Sequence, residues 1–210
     1  MDYRPIILRL IKIPLQRQRS NLFKLFLNNF KLEQGITCLD IGGITEGFEN
    51  IGKICNALIV NIEVRKMVDG WNVILADGRF LPLKDKSIDI IISNALLEHV
   101  DEGREKLIGE IRRTTKGNYF ISVPYHYSPF EPHYLLTFFQ FVPETIKRFL
   151  LFRMRITIGW MNKRNYHEIK LFKKSQLKEL FPEADICLLR CFGIPVNLVA
   201  YKNERRKSLS

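Results

Sequence analysis

The chain has 210 residues, of which 46% are hydrophobic and 26% are charged, which is enough for one α/β domain with a buried core. The net charge of +11 favours anionic partners, such as nucleic acid, anionic lipid headgroups or phosphorylated substrates. The longest uncharged apolar stretch, Tyr134 to Pro143, is far shorter than the roughly 20 residues of a spanning helix, which excludes a membrane span.

Residues 1–33 predict a basic, helical N-terminal extension. Pro5 can open a helix, and Pro14 is expected to end or kink that helix, because proline lacks a backbone N–H and its ring crowds the preceding turn. Ser20 can then cap a second helix over residues 21–30, where apolar side chains recur at helical spacing.

The N-terminus and the cysteines predict a reducing compartment. Arg9 and Lys12 interrupt the N-terminal apolar run, which has no small-residue cleavage site, so we expect no secretion signal. The four cysteines include no CxxC pair, and the sequence therefore predicts no metal site. Cys38 and Cys187 are expected to be small, buried core residues. The expected location is cytoplasmic, either soluble or peripheral at a membrane.

A strand–helix alternation begins at residue 36. Short aliphatic runs, which suit parallel strands buried on both faces, predict strands near 37–41, 57–62, 72–76, 88–93 and 118–123. Helices are predicted at 47–55, 65–68, 95–99 and 102–113. A last helix over 174–181 and two strands near 185–192 and 195–202 complete the pattern.

The first predicted strand ends in an acid and a glycine turn. Asp40 is followed by Gly42 and Gly43, and ligands of parallel sheets bind at such carboxyl ends. Glycine lets the backbone approach a ligand closely, and the following helix N-terminus favours an anionic group. Glu63 ends the second strand, 23 residues beyond Asp40. A carboxylate at about this spacing binds ribose hydroxyls, although a solvated acid at a helix start is the alternative.

Four segments resemble the class I S-adenosylmethionine (SAM)-dependent methyltransferases, in particular the branch with LD-G-G, D--LP, FD-V-S and LEHV segments. Their counterparts in this chain are residues 39–43, 77–82, 88–93 and 97–100. The resemblance implies an α/β fold with a seven-stranded Rossmann-like sheet, parallel except for a C-terminal antiparallel hairpin, and helices on both faces. Residues 34–203 are expected to form one methyltransferase domain, followed by a disordered tail, 204–210.

The resemblance implies that SAM is the cofactor. The residues expected to contact it are Asp40, Gly42, Gly43, Gly47, Glu63, Asp77, Gly78 and Ser93. In the family, the acid at Asp77 contacts the adenine amino group, and the backbone of Gly78 completes the slot; a plain turn aspartate is the alternative. Ile44 and Glu46 stand where the family has glycine, and Gly47 restores the turn one step late.

Residues 124–173 form a long aromatic and basic segment that we expect to be a substrate-side cap. A hydroxyl or carboxyl acceptor needs a general base, for which His126 and His133 are the candidates, with Glu131 to orient either one. The block Pro-Phe-Glu-Pro-His resembles an element of methyltransferases from cell-surface glycan and lipid pathways. A proline-rich bend with capping polar groups is the alternative.

The sequence therefore predicts a SAM-dependent methyltransferase that acts on a small-molecule or a lipid- or glycan-linked acceptor. An RNA methyltransferase, suggested by the positive charge, and a non-catalytic pseudo-methyltransferase that serves as a binding protein remain open. Ser93-Asn94-Ala95-Leu96 has neither the Asn/Asp-Pro-Pro-aromatic tetrad nor a Pro-Cys nucleophile. This argues against methylation of base amino groups or cytosine C5.

Basic residues also predict weak association with an anionic membrane surface. Apolar and basic side chains alternate near the N-terminus and in residues 147–174, as in interfacial helices. The N-terminal basic residues are Arg9, Lys12, Arg17 and Arg19. A solvated basic face over core-facing apolar residues is the alternative.

Overall fold

The computed structural model describes residues 4–43, 47–63, 69–131, 136–137, 141–143, 145–146 and 170–204. For residues 4–12, 130–131 and 136–137, only the backbone is described.

Within these residues, seven strands form one mixed sheet. They are β1 (Thr37–Ile41), β2 (Asn56–Asn61), β3 (Trp71–Leu75), β4 (Ile90–Asn94), β5 (Tyr119–Pro124), β8 (Asp185–Cys191) and β9 (Ile194–Lys202). A separate two-stranded pair consists of β6 (Phe130–Glu131) and β7 (Leu136–Thr137). The sheet order is β3-β2-β1-β4-β5-β9-β8, and β9 runs in the direction opposite to the other six strands. The predicted fold is confirmed.

The helices are α1 (Arg4–Asn29), α2 (Arg104–Thr114) and α3 (Lys174–Leu180). Short 3-10 helices at Glu49–Lys53 and Leu97–His99 occupy the places where longer helices were predicted. The short helix predicted at 65–68 lies outside the described residues. None of the described helices combines the length and apolar character that crossing a bilayer requires.

The two-helix prediction for the N-terminus is wrong, because α1 runs without a break through Pro14 and Ser20. A proline inside a helix removes one backbone donor, a cost that packing elsewhere along the helix can offset. That packing comes from the second half of α1, where Leu22 and Phe26 are buried against the sheet, and from Phe30, the residue just after the helix.

The sheet has helices on both faces, as predicted. On one face, Phe26 of α1 contacts Phe120 of β5 and Phe48 edge-to-face, with ring centroids 5.4 and 5.6 Å apart. On the other face, the buried side chains of α2 and α3 pack against the strands. Those helical side chains are Leu107, Ile108, Ile111 and Leu177.

The two ends of the segment between β5 and α3 lie side by side. Tyr125 forms a parallel bridge with Phe172. His126 N donates to Phe172 O (2.9 Å), and Phe172 N donates to Pro124 O (3.2 Å). The intervening residues therefore start and finish at the carboxyl end of β5.

Candidate functional site

The strand order reverses between β1 and β4, and this switch point is where open α/β sheets bind ligands. The chain leaves β1 toward β2 and β3, then crosses back to β4 on the other side of β1. At the carboxyl ends, Leu96 packs directly over Gly42: a Cβ on Gly42 would lie 2.7 Å from Leu96 Cδ1. Gly42 also has a φ of +72°, which favours glycine.

The carboxylate of Asp40 fixes the shape of the glycine turn. Asp40 is 2% exposed and lies on the same face of the sheet as Cys38. A Cβ added to Gly43 would overlap this carboxylate, so only glycine fits at this position. We call this Asp40–Gly43 pair the cradle. A ligand at this turn would meet the backbone atoms of Gly43 and no side chain at that position.

Asn61, at the end of β2, holds the same turn from the other side. Its Nδ2 donates to Gly43 O (3.2 Å) and Gly42 O (3.4 Å). Its Oδ1 accepts from the backbone N–H of Glu63 (3.3 Å). The sequence analysis did not select Asn61, although a polar residue that ends an otherwise aliphatic strand is a signal that could have identified it.

Three other predicted residues have the following positions. Glu63 is exposed just beyond β2. Gly47 lies against α1, where its added Cβ would be 3.1 Å from Arg19 Cβ. Gly78 is a packing glycine, since a Cβ there would come within 2.8 Å of Ile41.

Ser93 lies at the carboxyl end of β4 and is 1% exposed. No hydrogen-bond partner reaches its Oγ among the residues that the structure describes. Two positions later, Ala95 has a φ of +53°, which is uncommon for a residue with a side chain. Local strain of this kind is concentrated at functional sites.

Asp77, beyond the end of β3, is bound by Arg79. Asp77 Oδ1 accepts from the Arg79 backbone N–H (2.8 Å) and Nε (3.0 Å), and Oδ2 accepts from Nη2 (2.7 Å). The Arg79 side chain, by these hydrogen bonds, lowers the pKa of Asp77. Sequence reasoning missed Arg79. Contact between Asp77 and adenine stays a prediction. The adenine amino group would have to share the Asp77 carboxylate with the Arg79 guanidinium, which already binds both of its oxygens.

His126 lies beyond the carboxyl end of β5 within a group of aromatic rings. Its ring packs edge-to-face on Tyr127 (4.8 Å between centroids) and Phe141 (5.9 Å). Burial, followed by the nearby charge of Lys173, lowers the pKa of His126. The imidazole is therefore neutral at pH 7, which is the state that a general base needs.

The other two acceptor-side residues are not placed. His133 lies outside the described residues, and of Glu131 only the backbone, in β6, is described. Ile44 and Glu46 of the glycine turn, the basic residues between 147 and 169, and the predicted tail beyond residue 204 also lie outside the described residues.

Several known proteins that this chain resembles are methyltransferases. A family model described as a methyltransferase domain matches residues 50–121. A SAM-dependent methyltransferase from Aquifex aeolicus is 12% identical over 92% of this chain and 96% of its own, with a TM-score of 0.55. One from Thermotoga maritima, described as a possible histamine N-methyltransferase, is 15% identical over 96% and 97%, with a TM-score of 0.55.

Phosphoethanolamine N-methyltransferase 2 from Haemonchus contortus, solved in complex with S-adenosyl-L-methionine, is 14% identical. The match covers 80% of this chain and 38% of that protein, with a TM-score of 0.53. A search of curated proteins found no match.

The sheet order and these similarities define the fold of the class I methyltransferases. The family model covers about a third of the chain, and the similar solved proteins include SAM-dependent methyltransferases, one of them in complex with S-adenosyl-L-methionine. The residues present fit such a group: Asp40 and Gly43 leave a close-approach cradle, and Ser93 Oγ is a buried polar atom beside it.

Proposed function

We propose that the chain transfers a methyl group from SAM, bound at the carboxyl ends of β1 to β4, to a small-molecule or a lipid- or glycan-linked acceptor. The observation that carries the proposal is the cradle at the switch point, where Asp40 and Asn61 hold Gly42 and Gly43 between them. Backbone donors at such a turn suit an anionic group, here the methionyl carboxylate.

In this proposal the cofactor supplies a methyl group that is already activated as a sulfonium substituent. The chain contributes position and exclusion of water, which account for much of the catalysis in a displacement of this kind. Glu63 would bind the ribose hydroxyls, and Asp77 with the backbone of Gly78 would border the adenine. Asp40, Gly47 and Ser93 would complete the contacts of the turn and of β4.

His126 is the proposed general base for the acceptor. It follows β5, next to the proposed cofactor site, and its lowered pKa keeps it neutral at pH 7. His133 and Glu131 are proposed to assist from the same segment. The hydrogen bonds between the two ends of this segment, at Pro124 and Phe172, support its assignment as a cap on the acceptor side.

The acceptor class can be tested directly with SAM labelled on its methyl carbon. The purified chain would be incubated with lipid, glycan, small-molecule and RNA fractions of a cell extract, each with and without nuclease. We expect the label in a nuclease-resistant lipid, glycan or small-molecule fraction. His126→Ala should lose transfer while keeping cofactor affinity, whereas Glu105→Ala, on the exposed face of α2, serves as a control.

RNA is the second candidate, and the net charge of +11 is the observation that favours it. Label that appears only in the RNA fraction, and disappears with nuclease, would select RNA over the proposed acceptors. Binding to structured RNA that weakens steeply with salt would agree with that result.

Association with an anionic membrane is proposed as a way to bring a lipid-linked acceptor to the cap. The basic side chains of this surface that the structure describes include Arg17 and Arg19 on α1, and Lys170, Lys173 and Lys174 at the end of the cap segment. Co-sedimentation with vesicles tests the idea. Binding to anionic but not neutral vesicles, lost at high salt, supports it, and no binding at low salt refutes it.

A further inference from the structure

The side chain of Asn61 contacts both the glycine turn and the segment of the expected ribose acid. Its amide donates to the carbonyl oxygens of Gly42 and Gly43 and accepts from the N–H of Glu63. Its own backbone O accepts from Ala76 N (3.0 Å), immediately before Asp77. Three segments that sequence reasoning assigned separately to the cofactor therefore meet at one residue.

The register of the sheet explains why Asn61 reaches the turn. Ile41 is paired with Val60, and Gly42 N extends this ladder by donating to Val60 O (2.7 Å). Gly42 is the first residue after β1, and Asn61, which follows Val60, thus lies beside it. An asparagine amide has two donor hydrogens, which is the number needed to engage two neighbouring carbonyl oxygens.

This contact holds the peptide group between Gly42 and Gly43 in one orientation. Two consecutive glycines have unusually wide conformational freedom. In a trans peptide the carbonyl and the following N–H point in opposite directions. Holding the Gly42 carbonyl toward Asn61 therefore directs the Gly43 N–H away from Asn61.

We propose that Asn61 is a positioning residue for the cofactor: it orders the Gly42-Gly43 backbone before the methionyl carboxylate binds, and it aligns the segment of Glu63. This inference rests on the proposed function. Asn61 acts through the backbone of the turn, so its loss affects the methionyl end of the cofactor more than the adenosine end.

Asn61→Asp tests this division because it is nearly isosteric. The carboxylate keeps an acceptor for Glu63 N but turns an oxygen, in place of the two donor hydrogens, toward two carbonyl oxygens. The matched control is Asn56→Asp, which adds the same charge to the exposed, opposite end of β2. Asn61→Val is a second variant that loses both hydrogen bonds and has high strand propensity, so it keeps the test valid if the aspartate destabilises the fold.

Calorimetry would measure the binding of two ligands to each variant. S-adenosylhomocysteine has the amino-acid carboxylate, and 5′-methylthioadenosine has the same adenosine part without it. We expect Asn61→Asp to weaken binding of S-adenosylhomocysteine at least tenfold and of 5′-methylthioadenosine less than threefold, with Asn56→Asp close to wild type. Asn61→Val should weaken the binding of both ligands, and that of S-adenosylhomocysteine more than that of 5′-methylthioadenosine.

The outcomes separate this inference from the proposed function. If the wild-type chain binds S-adenosylhomocysteine and Asn61→Asp binds it as tightly as Asn56→Asp does, the inference is overturned and the proposed function stands. Equal losses for the two ligands would show a general structural role and would also overturn it. If the wild-type chain binds neither ligand, the proposed function fails, and the inference fails with it.

Discussion

The carboxylate of Asp40 occupies the space that a side chain on Gly43 would need. The two residues are three positions apart, at the end of β1, and Asp40 is almost fully buried. The chain therefore accepts only glycine at 43 while an acid is present at 40.

Gly43→Ala should destabilise the domain by about 1–3 kcal/mol, which is the usual cost of overpacking, because the buried Asp40 carboxylate must move. Binding of S-adenosylhomocysteine should weaken with it. Chemical denaturation and calorimetry measure the two effects. The control is Gly109→Ala on α2, where nothing lies within 4 Å of the added Cβ, and the change should stabilise by about 0.5–1 kcal/mol.

A double-mutant cycle identifies the cause of this cost. In an Asp40→Ala background the overlap is gone, so Gly43→Ala should cost at least about 1 kcal/mol less than in the wild type. If the cost is the same in both backgrounds, the Asp40–Gly43 relationship is not what excludes a side chain at 43.

Arg79→Met should raise the pKa of Asp77 toward its ordinary value, because the guanidinium is the main cause of its lowering. Since the folded pKa is depressed, the pair stabilises the fold above the ordinary pKa of an aspartate, and this contribution is lost as pH falls through the folded value. The variant should lose that dependence. NMR titration and acid unfolding measure it, with Arg190→Met as the control, because the Arg190 guanidinium donates to the backbone O of Gly193.

The same variant tests how Asp77 meets the adenine. Arg79 already engages both carboxylate oxygens, so an adenine amino group must compete with it. We therefore expect Arg79→Met to bind S-adenosylhomocysteine several-fold more tightly. Weaker binding would mean that Arg79 orients Asp77 for the cofactor instead of competing with it.

Lys173→Gln should raise the pKa of His126, because the charge of Lys173 is the second cause, after burial, of its lowering. The His126 imidazole then gains its proton at a higher pH, and the acidic limb of the rate profile should move upward with it. His126 stabilises the fold above its ordinary pKa, and this contribution is lost as pH falls through the lower folded value. NMR titration and the pH–rate profile measure the shift.

The control for this change is Lys174→Gln, which removes the neighbouring charge from the exposed start of α3. It should leave the pKa of His126 in place. If the acidic limb of the pH–rate profile does not move in Lys173→Gln, the general base is another group of the cap and not His126.

Cys55 should be the most reactive thiol that the structure describes. Its Sγ lies 3.3 Å from Cys38 Sγ, and the hydrogen bond with Cys38 lowers the pKa of Cys55, whereas burial raises the pKa of Cys187 and Cys191. Alkylation followed by peptide mass spectrometry should find Cys55 modified first. Cys38→Ala should slow this reaction and Cys187→Ala should not; equal rates in the two variants would contradict the pairing.

The sequence predicted the sheet well because its signals are local. Aliphatic runs bounded by turn residues located β1, β4 and β5 to within two residues, and the terminal hairpin around Gly193 equally well. The long α1 was not predicted, because Pro14 is a strong local signal for a helix end, and the burial of Phe26 that outweighs it depends on β5, far away in the chain.

The site shows the same division. Asp40, Gly42, Gly43 and Ser93 could be selected because motif position places them at strand ends. The roles of Asn61 and Arg79 depend on hydrogen bonds between side chains and neighbouring backbone. No spacing rule contains that geometry, so it became visible only in three dimensions.

The most direct test of the account is calorimetric titration of S-adenosylhomocysteine into the wild-type chain and into Glu63→Ala, with Glu105→Ala on the exposed face of α2 as the control. The account predicts saturable binding to one site, weakened at least tenfold by Glu63→Ala and unchanged by Glu105→Ala. Absence of binding to the wild-type chain, or equal affinity in Glu63→Ala, would contradict a cofactor site at the carboxyl ends of β1 and β2.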